Sequence, residues 1–288
     1  MANKRARDRQ LAKLAARRQA ERHVRQRRRA RIVGGVTGLL VIGLAVAGYA
    51  ALTGDDDTQA GPSPTPPASP AAGPSPKPTV MGTAKNEAEI PTDVACGADA
   101  PKAAASGKPQ YSNVPPELID PTVAYTATVS TSCGDVVVEL DAANAPIAVN
   151  NFVFLARKGF YDGLWFHRNA PGFVIQGGDP LGTGLGGPGY DFTTETNAKL
   201  TFARTGYVLA FANSGPDTNG SQFFITIGKQ EALDSGGPYT AFGTVVKGQD
   251  VVDTINGLKT ADNGQGEKSM PLEAVYIESV AIGEGRPK

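Results

Sequence analysis

Residues 166–179 read Phe-His-Arg-Asn-Ala-Pro-Gly-Phe-Val-Ile-Gln-Gly-Gly-Asp, and residues 219–224 read Asn-Gly-Ser-Gln-Phe-Phe. Both are short apolar runs punctuated by glycine, and each carries polar side chains inside a strand-like pattern. Working outward, Ala124–Ser130 alternates weakly, Ser132-Cys-Gly-Asp135 reads as a hairpin turn, and Val136–Leu140 reads as a second strand. Ala145–Gly159 predicts a helix: Pro146 suits its first turn, Val149, Phe152, Val153 and Ala156 share a face, and Gly159 ends it. Further short strands are expected at 164–168, 172–177, 206–212, 222–227, 240–246 and 274–282, with a second helix over Gln249–Asn256 ended by Gly257. Many short strands joined by Gly-rich turns predict an all-β barrel or sandwich, with the two helices as plugs on its open ends.

The two quoted stretches, in this order and about fifty residues apart, resemble the active site of the cyclophilins, the cyclosporin-binding class of peptidyl-prolyl cis-trans isomerases. The resemblance covers about residues 122–284. It implies a closed eight-stranded antiparallel barrel capped by two helices, and catalysis of rotation about Xaa-Pro peptide bonds. That chemistry needs no nucleophile and no metal. Amide resonance sets a rotation barrier of about 18–20 kcal/mol, and a catalyst has only to hold the prolyl ring and stabilise the twisted amide. When twisted, the proline nitrogen regains a lone pair, and a fixed donor beside it lowers the barrier. An arginine, always charged and planar, suits that role. By resemblance, Arg168 is the catalytic residue and Gln176 helps position it. Phe173 and Val174 wall the proline pocket, Ala212 and Asn213 meet the substrate chain, Gln222 makes a polar contact, Phe224 forms the floor, and Leu233 and Tyr239 are further walls. Taken singly, Phe173 and Phe224 read as core residues and Arg168 as a solvated strand residue; only the joint pattern assigns them to a site.

The chain departs from the family pattern at several places. Val174 stands where methionine is common, Ser214 where alanine is usual, and Tyr239 where many members have histidine. Ala232 stands where a large aromatic residue often contacts cyclosporin, so cyclosporin is expected to bind weakly. The Gly182–Gly189 loop has no Lys-Ser/Thr after it and no following helix pattern, which excludes a phosphate loop. His23 and His167 are the only histidines. With two cysteines they give no metal site, and His167 reads as a structural side chain. No cofactor and no metal are expected. The partners expected are proline-containing polypeptides, which a catalytic domain turns over and a non-catalytic binding module would merely tether.

The N-terminal third has a different composition. Residues 1–31 hold thirteen Lys and Arg against Asp8 and Glu21, a net charge of +11, and because the whole chain is neutral the remainder carries −11. Ile32–Leu52 has no charged residue and as a helix would span roughly 31 Å, enough for a bilayer core. The positive-inside rule then places 1–31 in the cytoplasm as a basic tail and everything beyond the span outside. A cleaved signal peptide is the rival reading; the long basic segment and long apolar run argue for an anchor. Beside such a span the basic tail reads as a contact for anionic lipid, with no nucleic acid expected. Residues 53–90, eight of whose prolines lie in 62–78, predict a disordered spacer reaching roughly 100 Å. Residues 91–121 read as an extended lead-in and 122–288 as the isomerase domain. The expected location is the cell membrane, single-pass, with the isomerase domain extracytoplasmic. Cys96 and Cys133 both follow the span, where disulfides persist; a bond between them is expected, two free thiols being the alternative.

Overall fold

A computed structural model describes residues 77–285. In chain order the elements are β1 (Val80–Ala84), β2 (Lys108–Tyr111), β3 (Tyr125–Thr131), β4 (Gly134–Leu140), α1 (Pro146–Arg157), β5 (Arg168–Ala170), β6 (Val174–Gly177), β7 (Val208–Phe211), β8 (Phe223–Thr226), α2 (Ala232–Gly236), β9 (Ala241–Lys247), α3 (Gln249–Asn256), β10 (Thr260–Asp262), β11 (Lys268–Pro271) and β12 (Ile277–Glu284). Eight of the strands form one curled antiparallel sheet in the order β12-β3-β4-β9-β7-β8-β6-β5.

Along β3 the alternate residues Tyr125, Ala127, Val129 and Thr131 are buried, as are Val136, Val138 and Leu140 of β4. This is the period-two pattern of a half-buried pair. The hairpin closes tightly, with Thr131 Oγ1 donating to Gly134 O at 2.7 Å and accepting from Cys133 N at 3.1 Å. Helix α1 starts at Pro146, whose missing N–H costs nothing in a first turn. Its own N-terminal residue supplies no cap. Glu195 does so from a distant loop, accepting from Ile147 N at 3.0 Å and Ala148 N at 2.7 Å. Phe152 of α1 enters the sheet's concave face, where its ring meets Tyr161, Phe223 and Phe242 within 5.8 Å.

The expected closed barrel is an open curl. Edge strands β5 and β12 form no ladder with each other. The ends meet just before β5, through the bridge Trp165↔Tyr276 and the bonds Gly163 N to Ile277 O, Ile277 N to Leu164 O and Phe166 N to Val275 O. β12 pairs instead with β3, from Ile277↔Thr131 to Glu284↔Tyr125, with one irregularity in register between Ile277 and Ser279. For the same reason 164–168 is not the continuous strand expected from sequence; only Arg168 of that run lies in β5. Among the described residues no helix is long and apolar enough to cross a membrane. Ile32–Leu52 and most of the Pro-rich spacer lie outside the described residues.

The lead-in is folded onto the domain. Val80–Ala84, inside the segment read as spacer, pairs as β1 with β2. Two 3-10 turns follow one another at Ala95–Gly97 and Lys102–Ala105. The backbone of Ala103 and Ala104 crosses Gly163 so closely that a Cβ there would lie 2.3 Å from it. Gly163 also has φ +76°, so this crossing needs glycine on two counts. The turn at 95–97 is held to Ala274 by backbone bonds and to the β3–β4 hairpin by a disulfide between Cys96 and Cys133.

That bond closes a loop of 37 residues in sequence separation, for which chain entropy gives about 4 kcal/mol of stabilisation as an upper figure. Urea unfolding with and without reductant should show a lower midpoint on reduction, matched by Cys96→Ser in the absence of reductant. Denatured, unreduced protein should show no thiol reactive to a labelling reagent from this pair; two reactive thiols would contradict the bond.

Candidate active site

The site is a row across four strands. Arg168 on β5 stands opposite Gln176 on β6; Gln176 stands opposite Phe224 on β8; Phe224 stands opposite Ala210 on β7. Because side chains alternate along a strand, this register sends Ile175, Leu209, Phe211, Phe223 and Ile225 into the main core, and Val174, Val208, Ala210 and Phe224 to the opposite face. There Phe224 and Val174 pack with Leu200, Phe202, Leu233 and Ala241 in a second apolar cluster, with Phe173, Ala212 and Tyr239 half-buried at its margin. Six residues expected at the pocket, namely Phe173, Val174, Ala212, Phe224, Leu233 and Tyr239, are therefore brought together. Tyr239 meets Phe224 edge-on at 5.4 Å, and Phe202 stacks behind it at 6.0 Å. Burial raises the Tyr239 hydroxyl above its usual pKa, against an opposing effect of Arg168.

The turn joining β5 to β6 is set by its sequence. Ala170-Pro-Gly-Phe173 is closed by Phe173 N donating to Ala170 O at 3.0 Å, with Gly172 at φ +71°, which matches a type II turn with proline first and glycine second. From below, Asn256 at the end of α3 donates to Asn169 Oδ1 and Ala170 O and accepts from Gly172 N. The hairpin that carries Arg168 and Phe173 is thus tied to a helix.

A polar chain runs beside the apolar cluster. Arg168 Nη1 donates to Gln176 Oε1 at 3.3 Å, Gln176 Nε2 to Gln222 Oε1 at 3.1 Å, and Gln222 Nε2 to the carbonyls of Gly184 and Gly186 at 2.9 and 2.8 Å. The guanidinium carbon lies 5.8 Å from the centre of the Phe173 ring. The Gly-rich loop is itself fixed. Buried Asp179 accepts from Leu181 N and Gly184 N, and the lead-in reaches it through Glu87 N to Leu181 O, Gln110 Nε2 to Gly187 O and Tyr111 N to Pro188 O. The loop is thus bonded on both sides. Asn213 follows Ala212 of the cluster's margin, and its side chain donates to Asn219 Oδ1 and Pro238 O.

Sequence reasoning missed Phe202, Asn169, Asn256 and Glu267. Glu267 accepts from Arg168 Nε at 3.0 Å and Nη2 at 2.5 Å. It sits in the turn-forming run Asp262-Asn-Gly-Gln-Gly-Glu267, which bears no apolar period and no mark of a site. His167 is half-buried, its two ring nitrogens are shielded from solvent without a hydrogen-bond partner, and desolvation holds its pKa below the usual value. Among the described residues no cluster of His, Cys, Asp and Glu could hold a metal.

Chemically, the arrangement offers a planar cation beside an apolar floor. Residues 126–282 match the family model described as cyclophilin type peptidyl-prolyl cis-trans isomerase/CLD. The chain is 45% identical over 179 residues to peptidyl-prolyl cis-trans isomerase A of Mycobacterium tuberculosis, covering 56% of this chain and 94% of that protein. It is 44% identical over 173 residues to peptidyl-prolyl cis-trans isomerase B of Streptomyces anulatus, covering 54% of this chain and 95% of that one. The crystal structure of a Cryptosporidium parvum cyclophilin type isomerase superposes with TM-score 0.51 at 34% identity over 57% of this chain and 99% of its own. A second structure of that protein, in the presence of the dipeptide Ala-Pro, gives TM-score 0.50 at 33% identity over 56% of this chain and 99% of its own.

Proposed function

The chain belongs to the cyclophilin-type peptidyl-prolyl cis-trans isomerases, and we propose that it is a membrane-anchored member which speeds the folding of exported proteins through the Arg168–Phe224 site. The observation that supports this reading of the site is the single row of side chains, Arg168, Gln176 and Phe224, on three neighbouring strands. A prolyl ring seated on Phe224, against Val174, Leu233 and Tyr239, leaves its preceding amide toward the guanidinium. The ring is held by apolar contact while the acyl side turns. As the amide twists, its nitrogen becomes an acceptor, and a free N–H of Arg168 meets it. The planar amide offers no such lone pair, so the donor favours the twisted form selectively. The half-buried position of the site strengthens that hydrogen bond relative to water.

The exported setting rests on two independent features. The charge step across Ile32–Leu52 favours an N-terminus inside and the isomerase domain outside. The Cys96–Cys133 disulfide fits an oxidising compartment. Protease added to intact spheroplasts should cut the stalk and release the isomerase domain; full protection of the domain would reverse the orientation.

Turnover separates the enzyme from a module that only binds proline segments. In exchange spectroscopy on a Xaa-Pro peptide, the full chain should accelerate cis-trans exchange. Arg168→Ala should lower kcat/KM by about 100- to 1000-fold, taking roughly 2.7–4 kcal/mol by analogy with oxyanion-hole donors. Arg168→Lys should recover little, because an ammonium lacks the planar fork. Phe224→Ala should instead raise KM by emptying the floor. Binding without acceleration by the unmodified chain would leave the binding module.

Ala232 is exposed at the first turn of α2, next to buried Leu233. With no large aromatic there, cyclosporin should bind weakly. Ala232→Trp should tighten it by up to about 100-fold, equivalent to roughly 3 kcal/mol. Calorimetry on the two forms checks this, and nanomolar affinity for the unmodified chain would refute the argument from Ala232.

A further inference from the structure

We infer that Glu267, on the β10–β11 turn, is a positioning residue for Arg168, holding the guanidinium plane in the orientation that presents its remaining N–H donors to the substrate amide. The inference rests on the reading of Arg168 given above. An arginine has five N–H donors in a fixed plane. Glu267 takes one at Nε and one at Nη2, and Gln176 takes one at Nη1. One N–H on each terminal nitrogen is left. The carboxylate thus grips the side of the fork and spares its end, so the contact fixes direction without using up the group.

The need for such a grip follows from burial. The Arg168 side chain is 10% exposed, against 38% for Glu267. Its other side-chain contacts include the neutral amide of Gln176 and the Phe173 ring, neither of which carries a compensating charge. A buried cation with only these partners is poorly compensated and would turn toward solvent. Two parallel charge-assisted bonds to one carboxylate also set a plane, which a single bond does not.

Glu267 is in turn held from its own side. Asn263 Oδ1 accepts from Gln265 N and Glu267 N, Asn263 N donates to Glu267 O, and Asn263 Nδ2 reaches Glu267 Oε2 at 3.4 Å and Ser269 Oγ at 3.2 Å. Asp262 Oδ1 accepts from Gly264 N and Gly266 N. Strand β11 packs against β5, the strand that carries Arg168. Burial pushes the Glu267 carboxyl up, but hydrogen bonds from Arg168 and Ser269, with the charge of Arg168, outweigh it and leave the group below its usual range, ionised at neutral pH.

The test is steady-state exchange kinetics on a Xaa-Pro peptide with the full chain, together with the Nε–H resonance of Arg168 in nitrogen-15 spectra, assigned by its loss in Arg168→Lys. Glu267→Ala should lower kcat about tenfold with KM within twofold, and should erase or broaden the Arg168 Nε–H resonance while backbone amides of β6, β7 and β8 keep their positions. Glu267→Gln should fall between, since an amide oxygen accepts only one side of the fork. If Glu267→Ala fails to fold, the near-isosteric Glu267→Gln decides alone, with the same split required. Unchanged or raised kcat in the folded variants would overturn the inference and make the carboxylate a restraint on Arg168. A fully active Arg168→Ala would instead remove the functional reading beneath it, so the two failures are distinguishable.

Discussion

The structure depends on one register. Across β5, β6, β8, β7 and β9, the residues Arg168, Gln176, Phe224, Ala210 and Ala241 lie side by side. A slip of one residue would exchange the two faces, placing Phe223 on the peptide side and Phe224 among Phe152, Tyr161 and Phe166. The sheet is buried on both faces at β7 and β8, so neither face tolerates the other's residues. The polar members of the row can be there only because the main core is complete without them. Phe152, Phe211, Phe223 and Phe242 fill the concave side with ring contacts between 4.4 and 5.8 Å.

Around this row the molecule is built as successive supports. The Pro-Gly turn aims β5 and β6, Asn256 fixes that turn to α3, and Gln222 ties the row to the Gly-rich loop. The lead-in then pins the same loop from outside, through backbone bonds at Leu181 and Pro188. Gly189 lies so near Tyr111 that a Cβ would meet its carbonyl oxygen at 2.6 Å, and its φ of +100° demands glycine independently. Residues outside the 126–282 match to the family model thus bear on the geometry beside the site. Positioning by such outer contacts matters because a displacement of about 1 Å at a catalytic group can cost a large factor in rate.

Much of this was legible in the sequence. The β3–β4 alternation, the α1 apolar face with its proline start, and α3 with its terminal glycine all follow from local pattern, and the structure keeps them. The residues of the pocket were legible through their motifs. Three things were not. First, strands β1, β2, β10 and β11 contain segments such as Lys-Pro-Gln-Tyr and Lys-Ser-Met-Pro, which have no strand period; tertiary hydrogen bonds make them strands. Second, the pairing Phe223-Phe224 reads as one apolar run, and only the register assigns one ring to each face. Third, Glu267 and Phe202 lie far in sequence from both motifs, in stretches whose composition says loop. The run 164–168 was misread because its apolar residues face the core without a neighbouring strand ladder; three backbone bonds to 275–277 take its place.

The order of strands also fixes when the fold can be finished. β12, among the last described residues, pairs along its whole length with β3, which opens the sheet. A chain that emerges N-terminus first exposes β3 and β4 with both outer edges open, the β4 edge until β9 and the β3 edge until β12 has followed. Long-range pairing of this kind is slow and leaves an aggregation-prone edge in the meantime. The hairpin at that waiting edge carries Cys133, whose partner Cys96 has already been made. The earliest covalent link available to the domain therefore falls on the part of the sheet that waits longest for its neighbour.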